Sequence, residues 1–390
     1  MEVAAVAPVD PALQADPVPR AGQSRDAWAD NLKVVLVVGV IVAHVTIAWT
    51  GVGSWVFTED PVREPLFSVL VLASSGALFG LAVFFLLAGM YTPGSLARKG
   101  TRRFAVDRLA RLGLPLLGFV LLVAPVVEWV DPDRAGWERG FVAYTLEVVW
   151  WSWPTPPSWG PTWFLAVLLL FSLVYAVVRA IVPARGPRPL RRRHLVTVAC
   201  AIAAVSWLVR IEVPVGDEVA RLAVGQAPTW VAGFAMGVVG AERGWLDPVP
   251  PAVAAWARRV GIGALVATAV LIGAAAAAGA DLDAFAGFGT WQSLALAAIE
   301  GALVVSMPLW LVDLFRRRFD HQGTVARRAS RAAFAAFVVH QLVLVGLVLA
   351  SHEVVWPPEV EWALVSVAGV AGSFAIGGLL TRLPVVGRYL

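Results

Sequence analysis

"NLKVVLVVGVIVAHVTIAWT", residues 31–50, holds one charged side chain, Lys33, near its start and one titratable side chain, His44, in an otherwise uncharged run. Twenty residues in an α-helix rise about 30 Å, the thickness of the hydrocarbon core of a bilayer. The same kind of segment recurs along the chain. Hydrophobic residues make up 59% of the 390, charged residues 15%, and the mean hydropathy is +0.75. Soluble domains carry about 25% charged residues, so an ordinary cytosolic enzyme is excluded.

Apolar stretches near 31–50, 66–91, 104–127, 161–182, 194–213, 222–242, 260–280, 290–315, 331–350 and 360–381 have the length of membrane spans. The expected fold class is therefore all-α: a polytopic integral membrane protein of about ten transmembrane helices. Charges between the spans alternate. Arg98, Lys99, Arg102 and Arg103 follow the second, Arg185 and Arg191 to Arg193 the fourth, Arg243, Arg258 and Arg259 the sixth, and Arg316 to Arg318 the eighth. The remaining connections hold Glu59, Asp60, Asp131, Asp133, Asp217, Glu218, Asp281, Asp283, Glu353 and Glu359, with Arg63, Arg134, Arg139, Arg210 and Arg221 as their basic residues. Basic loops stay on the cytoplasmic side. Both termini are expected there, in a multi-pass protein of the cell membrane. The same reading accounts for the pI near 9.7 at a net charge of only +4, so no nucleic-acid partner is called for.

Residues 1–28, rich in Ala, Pro, Asp and Gln, read as a disordered cytoplasmic tail and not as a signal peptide. Residues 29–385 read as one transmembrane domain, and with the last span ending close to Leu390 the chemistry is expected on the helices and their loops. No fixed-period repeat and no inverted-repeat symmetry is visible. The single cysteine, Cys200, lies inside a span, which excludes an internal disulfide framework and a multi-cysteine metal site. No HExxH, Gly-rich phosphate loop or G-x-S-x-G pattern occurs, and no metal is expected.

An ionisable side chain within a span costs at least about 2.5–3.5 kcal/mol on insertion scales and usually has a partner or a function. Four places stand out: His44, Glu300, His340, and the pair Arg108 and Arg111 at the inner end of the third span. Lys33 and His44 lie eleven residues apart, nearly three whole turns and about 16 Å of rise, and so share one helix face. A cation at the cytoplasmic edge and an imidazole deep in the bilayer suit an anionic donor held at one end and worked on at the other. A snorkelling lysine and a structural histidine fit the same spacing. Glu300 reads either as a carboxyl bonded to a polar neighbour or as a catalytic residue, a proton acceptor or orienter for the imidazole. His340 with Gln341 reads as interhelical hydrogen bonding or as acceptor-side chemistry. The Trp-rich connection from Glu128 to Gly160 fits an interfacial aromatic belt, or a platform on which a sugar stacks.

Several strings in the same order resemble the membrane acyltransferase-3 family, from about Trp28 to Leu383. "ADNLKVVLVVGVIVAHV" is similar to its opening helix, with Asp30, Lys33 and His44 at the motif positions and lysine where the family usually has arginine. "FFLLAGMYTPGSLARKGTRRFAVDRLARLGLPLL" is similar to its second-to-third helix junction, with Ala88-Gly89 where Ser-Gly is common, and with Arg108, Arg111 and Pro115 in place. "GPTWFLAVLLLF" resembles its Trp-Phe-Leu helix through Trp163, and "FAAFVVHQLVLV" its late histidine helix through His340.

The resemblance implies a membrane-bound O-acyltransferase. It would move an acyl group from cytoplasmic acyl-coenzyme A, a co-substrate and not a bound cofactor, to a hydroxyl of a sugar, glycan, lipid or secondary metabolite. Lys33, Arg108 and Arg111 would bind the acyl donor, His44 would be the catalytic base with Glu300 beside it, and Trp163 and His340 would stand on the acceptor side or be structural. An acyl-histidine intermediate is a variant of that scheme. A proton-coupled exporter, with the buried His and Glu groups as a relay, and a catalytically silent scaffold are the competing classes.

Overall fold

The computed structural model describes residues 26–50, 76–130, 137–151, 157–184, 186–353, 355–384 and 386–389. They form α1 (Ala27–Thr50), α2 (Ala77–Lys99), α3 (Thr101–Trp129), the short α4 (Gly140–Trp150), α5 (Trp163–Ile181) and α6 (Arg192–Glu212). Then follow α7 (Ala227–Arg243), α8 (Pro251–Ala277), α9 (Trp291–Arg318), α10 (Thr324–Ser351) and α11 (Pro358–Leu380). No strand occurs among the described residues, only an isolated bridge between Val219 and Leu222. The protein is all-α, as its composition requires.

Nine helices among the described residues are long and apolar enough to cross a bilayer. The remaining expected span, the sixth at 222–242, is α7, whose 17 residues are at the short limit for a crossing. The expected second span, 66–91, lies partly outside the described residues, and α2 continues eight residues past it to Lys99. The N-terminal tail up to residue 25, Glu59, Asp60, Arg63, Asp131, Asp133, Arg134, Trp153 and Arg185 also lie outside them. α1 begins at Ala27, and Trp28 is already buried at 3% exposure.

α3 alternates α and π turns, and its prolines explain where. Pro115 has no N–H for the carbonyl of Arg111, and the turn Leu109–Gly113 widens to π. Pro125 does the same to Leu121 within the π turn Phe119–Val123. The first of these wide turns carries Arg111 and directly follows Arg108.

Close approach of backbones organises the bundle. α2 and α7 make the most extensive helix pair. A Cβ on Gly233 would lie 2.6 Å from the carbonyl oxygen of Ala82; one on Gly237 would strike that of Leu86, and one on Gly89 that of Phe234. Lipid supplies no hydrophobic force between helices, so small residues that admit close packing and dispersion contact hold such pairs together. Gly377 of α11 lies in the same way against Ala332 and Ala336 of α10. One apolar core joins α1, α2, α5, α7 and α10 around Ile41, Phe85, Phe164 and Phe337, and a second joins the start of α1 to α2, α6, α8 and α9 around Leu32, Leu86, Val304 and Val305.

Candidate active site

His44 and His340, 296 residues apart in sequence, meet inside the bundle. α1 packs against both α10 and α11, and Ile41 and Val45 on one side and Phe337 and Leu344 on the other belong to a single core. The two imidazoles stand 4.9 Å apart between centroids, tilted by 43°, and His340 Nε2 is 3.2 Å from His44 Nδ1. His340 is fully buried.

The proton positions follow from what each ring faces. His340 Nδ1 lies 2.6 Å from the carbonyl oxygen of Phe337, and His44 Nδ1 lies 2.9 Å from that of Val40. A carbonyl only accepts, so both Nδ1 atoms carry hydrogen. Neutral His340 then has its lone pair on Nε2, and the His44 Nδ1–H is shared between Val40 O and His340 Nε2. Neutral His44 in turn keeps its own lone pair on Nε2, at the other edge of the ring. A base so arranged can take a proton on Nε2 while a neighbouring acceptor supports the charge through Nδ1.

Aromatic rings connect this pair to the start of α5. Phe337 lies 5.7 Å from His340 and 5.9 Å from Phe164, and Phe164 lies 4.7 Å from Phe85. Trp163, adjacent to Phe164, lies 4.4 Å from Trp230 with the rings tilted by 34°, and the buried indole N–H of Trp230 has no hydrogen-bond partner among the described residues. Gln341, next to His340, likewise buries an Oε1 unpaired among the described residues. The strings around Trp163 and His340 are therefore brought into one aromatic wall. Elsewhere in the Trp-rich connection, Trp129 and Trp137 pack edge-on against Tyr144, whereas Trp151 is exposed.

Glu300 does not join the histidines. Its carboxylate accepts from Arg210 Nη2 at 2.6 Å, with both side chains buried, and Arg210 Nε donates to the carbonyl of Gly225. Of the two readings that the sequence left open for Glu300, this geometry is that of a carboxyl bonded to a polar neighbour. The imidazole's neighbour is His340 instead. Arg210, assigned by its sequence position to a polar connection, is 1% exposed in the last turn of α6. Its only sequence signal is the presence of one arginine just before a span ends. Its partner ninety residues away becomes visible only when α6 and α9 pack.

The three cations expected to hold a donor differ in their commitments. Lys33 Nζ contacts Asp30 at 3.2 Å and lies 5.6 Å from the centre of the Tyr91 ring. Tyr91 donates to Asp26 at 2.8 Å, which ties the start of α1 to α2. Arg111 is mostly exposed and bonds Asp107 at 3.1 Å, and Asp107 also accepts from Lys99. Arg108 lies over the buried ring of Phe104, and its Nε is buried without a hydrogen-bond partner among the described residues. Unspent donor capacity on a half-buried guanidinium is the feature a phosphate ligand would use.

No curated protein and no solved structure matches the chain. A family model does: the acyltransferase-3 family, described as "Acyltransferase domain", matches residues 26–381 and so spans all of α1 to α11. That interval contains the histidine pair, the Arg108 turn and the Trp163 helix in the order in which they were read from the sequence. The chain is a polytopic membrane acyltransferase that belongs to the acyltransferase-3 family.

Proposed function

We propose that the protein transfers an acyl group from acyl-coenzyme A to a hydroxyl of a sugar, glycan, lipid or small metabolite, with His44 Nε2 as general base. The observation that carries this reading is the 3.2 Å contact between His340 Nε2 and His44 Nδ1, together with the carbonyls that hold both Nδ1 protons. The acceptor O–H donates to His44 Nε2; its oxygen attacks the thioester carbonyl as the proton moves to the imidazole. Collapse of the tetrahedral adduct breaks the C–S bond, and the leaving thiolate takes the proton back from Nε2. During the step, imidazolium charge on His44 is supported by His340 Nε2 as acceptor.

Arg108, with a buried Nε uncommitted among the described residues, is the first choice for an anionic group of the donor, with Lys33 and Arg111 as further charge at the same end of the bundle. A cytoplasmic location for that end agrees with the basic connections. The aromatic wall from Phe337 to Trp163 supports an acceptor with a stacking face, such as a sugar ring.

Mass spectrometry of glycans, lipids and metabolites tests this in cells that carry the wild-type protein, the His44→Ala variant or neither. A mass increment of one acyl group that appears only with the wild type is expected, and it identifies acceptor and acyl chain together. The same increment with a well-folded His44→Ala protein would end the proposed role of His44. Proton-driven flux without acyl consumption would favour an exporter.

A further inference from the structure

Where α8 begins and α9 ends, the two helices leave a cleft of about 250 Å³ on the flank of the bundle. Its lining has a helical period on both sides. Ala254, Ala255 and Arg258 come from one face of α8, and Trp310, Leu314 and Arg317 from one face of α9, with Arg318 at the rim. The floor is apolar, and the rim carries three arginines and one carboxylate, Asp313. Arg317 is committed to Asp313 at 2.7 Å, whereas Arg258 and Arg318 have no ion pair among the described residues.

The cleft also continues into the outer face of the protein. Four residues beyond Arg258 begins a stripe of Ile262, Val266 and Val270, spaced by four and exposed by 46%, 56% and 63%. A stripe of that spacing runs along one side of α8, and in a membrane helix exposed apolar side chains face acyl chains. Arg258 therefore stands at the head of a lipid-facing track, about two turns into α8, from where its long side chain can reach the headgroup layer at that end of the helix.

We propose that this cleft is a binding site for an anionic glycerophospholipid. Its phosphate sits between Arg258 and Arg318, its glycerol region packs on Trp310, and an acyl chain follows Ile262, Val266 and Val270. Charge complementarity selects an anionic headgroup over a zwitterionic one, and basic pockets between membrane helices bind such headgroups. The apolar track selects a lipid over a free phosphate or the phosphates of a coenzyme, which have no use for it. The lining includes neither histidine and none of Lys33, Arg108 and Arg111, and the site does not depend on the proposed reaction.

Native mass spectrometry of the purified full-length protein tests it, with phosphatidylglycerol or phosphatidylcholine of identical acyl chains added in detergent. Phosphatidylglycerol is expected to be retained in preference to phosphatidylcholine. Arg258→Gln combined with Arg318→Gln should weaken that retention by at least about fivefold, the effect of one basic residue near a membrane surface. Arg327→Gln with Arg328→Gln, which removes the same charge from exposed positions at the start of α10, should leave it intact. Unchanged elution volume and tryptophan emission would show that both double variants are folded, and single Arg258→Gln and Arg318→Gln variants should each give part of the loss. Equal retention of the two lipids, equal loss in the α10 control, or displacement of the lipid by inorganic phosphate or free coenzyme A would each overturn the proposal.

Discussion

Arg210 Nη2 donates to the carboxylate of Glu300 at 2.6 Å, and this ion pair is sealed between α6 and α9 with both side chains at 4% exposure or less. Its consequence for stability is asymmetric. Losing one partner strands a buried charge at a cost of about 3–5 kcal/mol, whereas replacing both by apolar groups of similar size is close to neutral. Arg210→Met and Glu300→Leu are each expected to lower the unfolding temperature markedly in detergent, and the double variant to recover most of the loss. If the two losses simply add, the pair is not a coupled unit.

His340 is expected to act on turnover through His44. His340→Phe keeps a flat ring but removes the acceptor facing His44 Nδ1, so kcat should fall by about ten- to a hundredfold, the effect of a charged hydrogen bond worth roughly 1.5–3 kcal/mol. His340→Gln, which can offer a carbonyl oxygen, should restore part of it. The donor KM should move little in both. A large change in donor KM with kcat preserved would mean that His340 shapes the donor site and does not support the base.

Among the basic residues, the structure predicts an order. Arg108→Gln should raise the KM for acyl-coenzyme A most, by about tenfold or more for a charged hydrogen bond. Arg111→Gln should have a small effect, since its guanidinium is exposed and already bonded to Asp107. Lys33→Gln should fall between them and Lys33→Arg should largely preserve binding, provided the larger head fits beside Asp30 and Tyr91. Steady-state kinetics with the acyl donor varied decides the order, and an Arg108→Gln enzyme with an unchanged donor constant would remove Arg108 from that site.

The α2–α7 contact makes a structural prediction with an internal control. Gly237→Leu should prevent proper packing, because even a Cβ there strikes the Leu86 carbonyl. Gly39→Ala on α1 meets nothing within 4 Å among the described residues and should be neutral or slightly stabilising, by up to about 1 kcal/mol. Thermal unfolding of the two variants compares them directly. Equal tolerance would mean that α2 and α7 are not held by backbone approach.

Topology can be read with single cysteines in a Cys200→Ala background, the native thiol being exposed. Val325 at the start of α10 and Glu353 just after its end are expected on opposite sides, with only the Glu353→Cys site reached by an impermeant reagent from outside. Labelling of the Val325→Cys site from outside would invert the orientation.

Hydropathy and charge alternation are local quantities, and they were enough to specify an all-helical membrane protein and to mark His44, Glu300, His340 and the Arg108 turn as unusual. A polar group in a twenty-residue apolar run is conspicuous whatever lies beside it, because lipid offers it no partner. The wide turns of α3 were also latent in the sequence, since Pro115 and Pro125 each remove a definite hydrogen bond. Pairing was not legible. Each histidine and each buried charge has several chemically acceptable partners, and the choice is made by which helices share a face. Gly89, Gly233 and Gly237 bring α2 against α7, α1 lies against α10, and α6 against α9. That packing gives His44 to His340 and Glu300 to Arg210, and it turns Arg111 to solvent while Arg108 is drawn over Phe104. Such assignments rest on contacts between residues up to 296 positions apart. Helix periodicity constrains which face a side chain occupies and carries no information about which helix that face will meet.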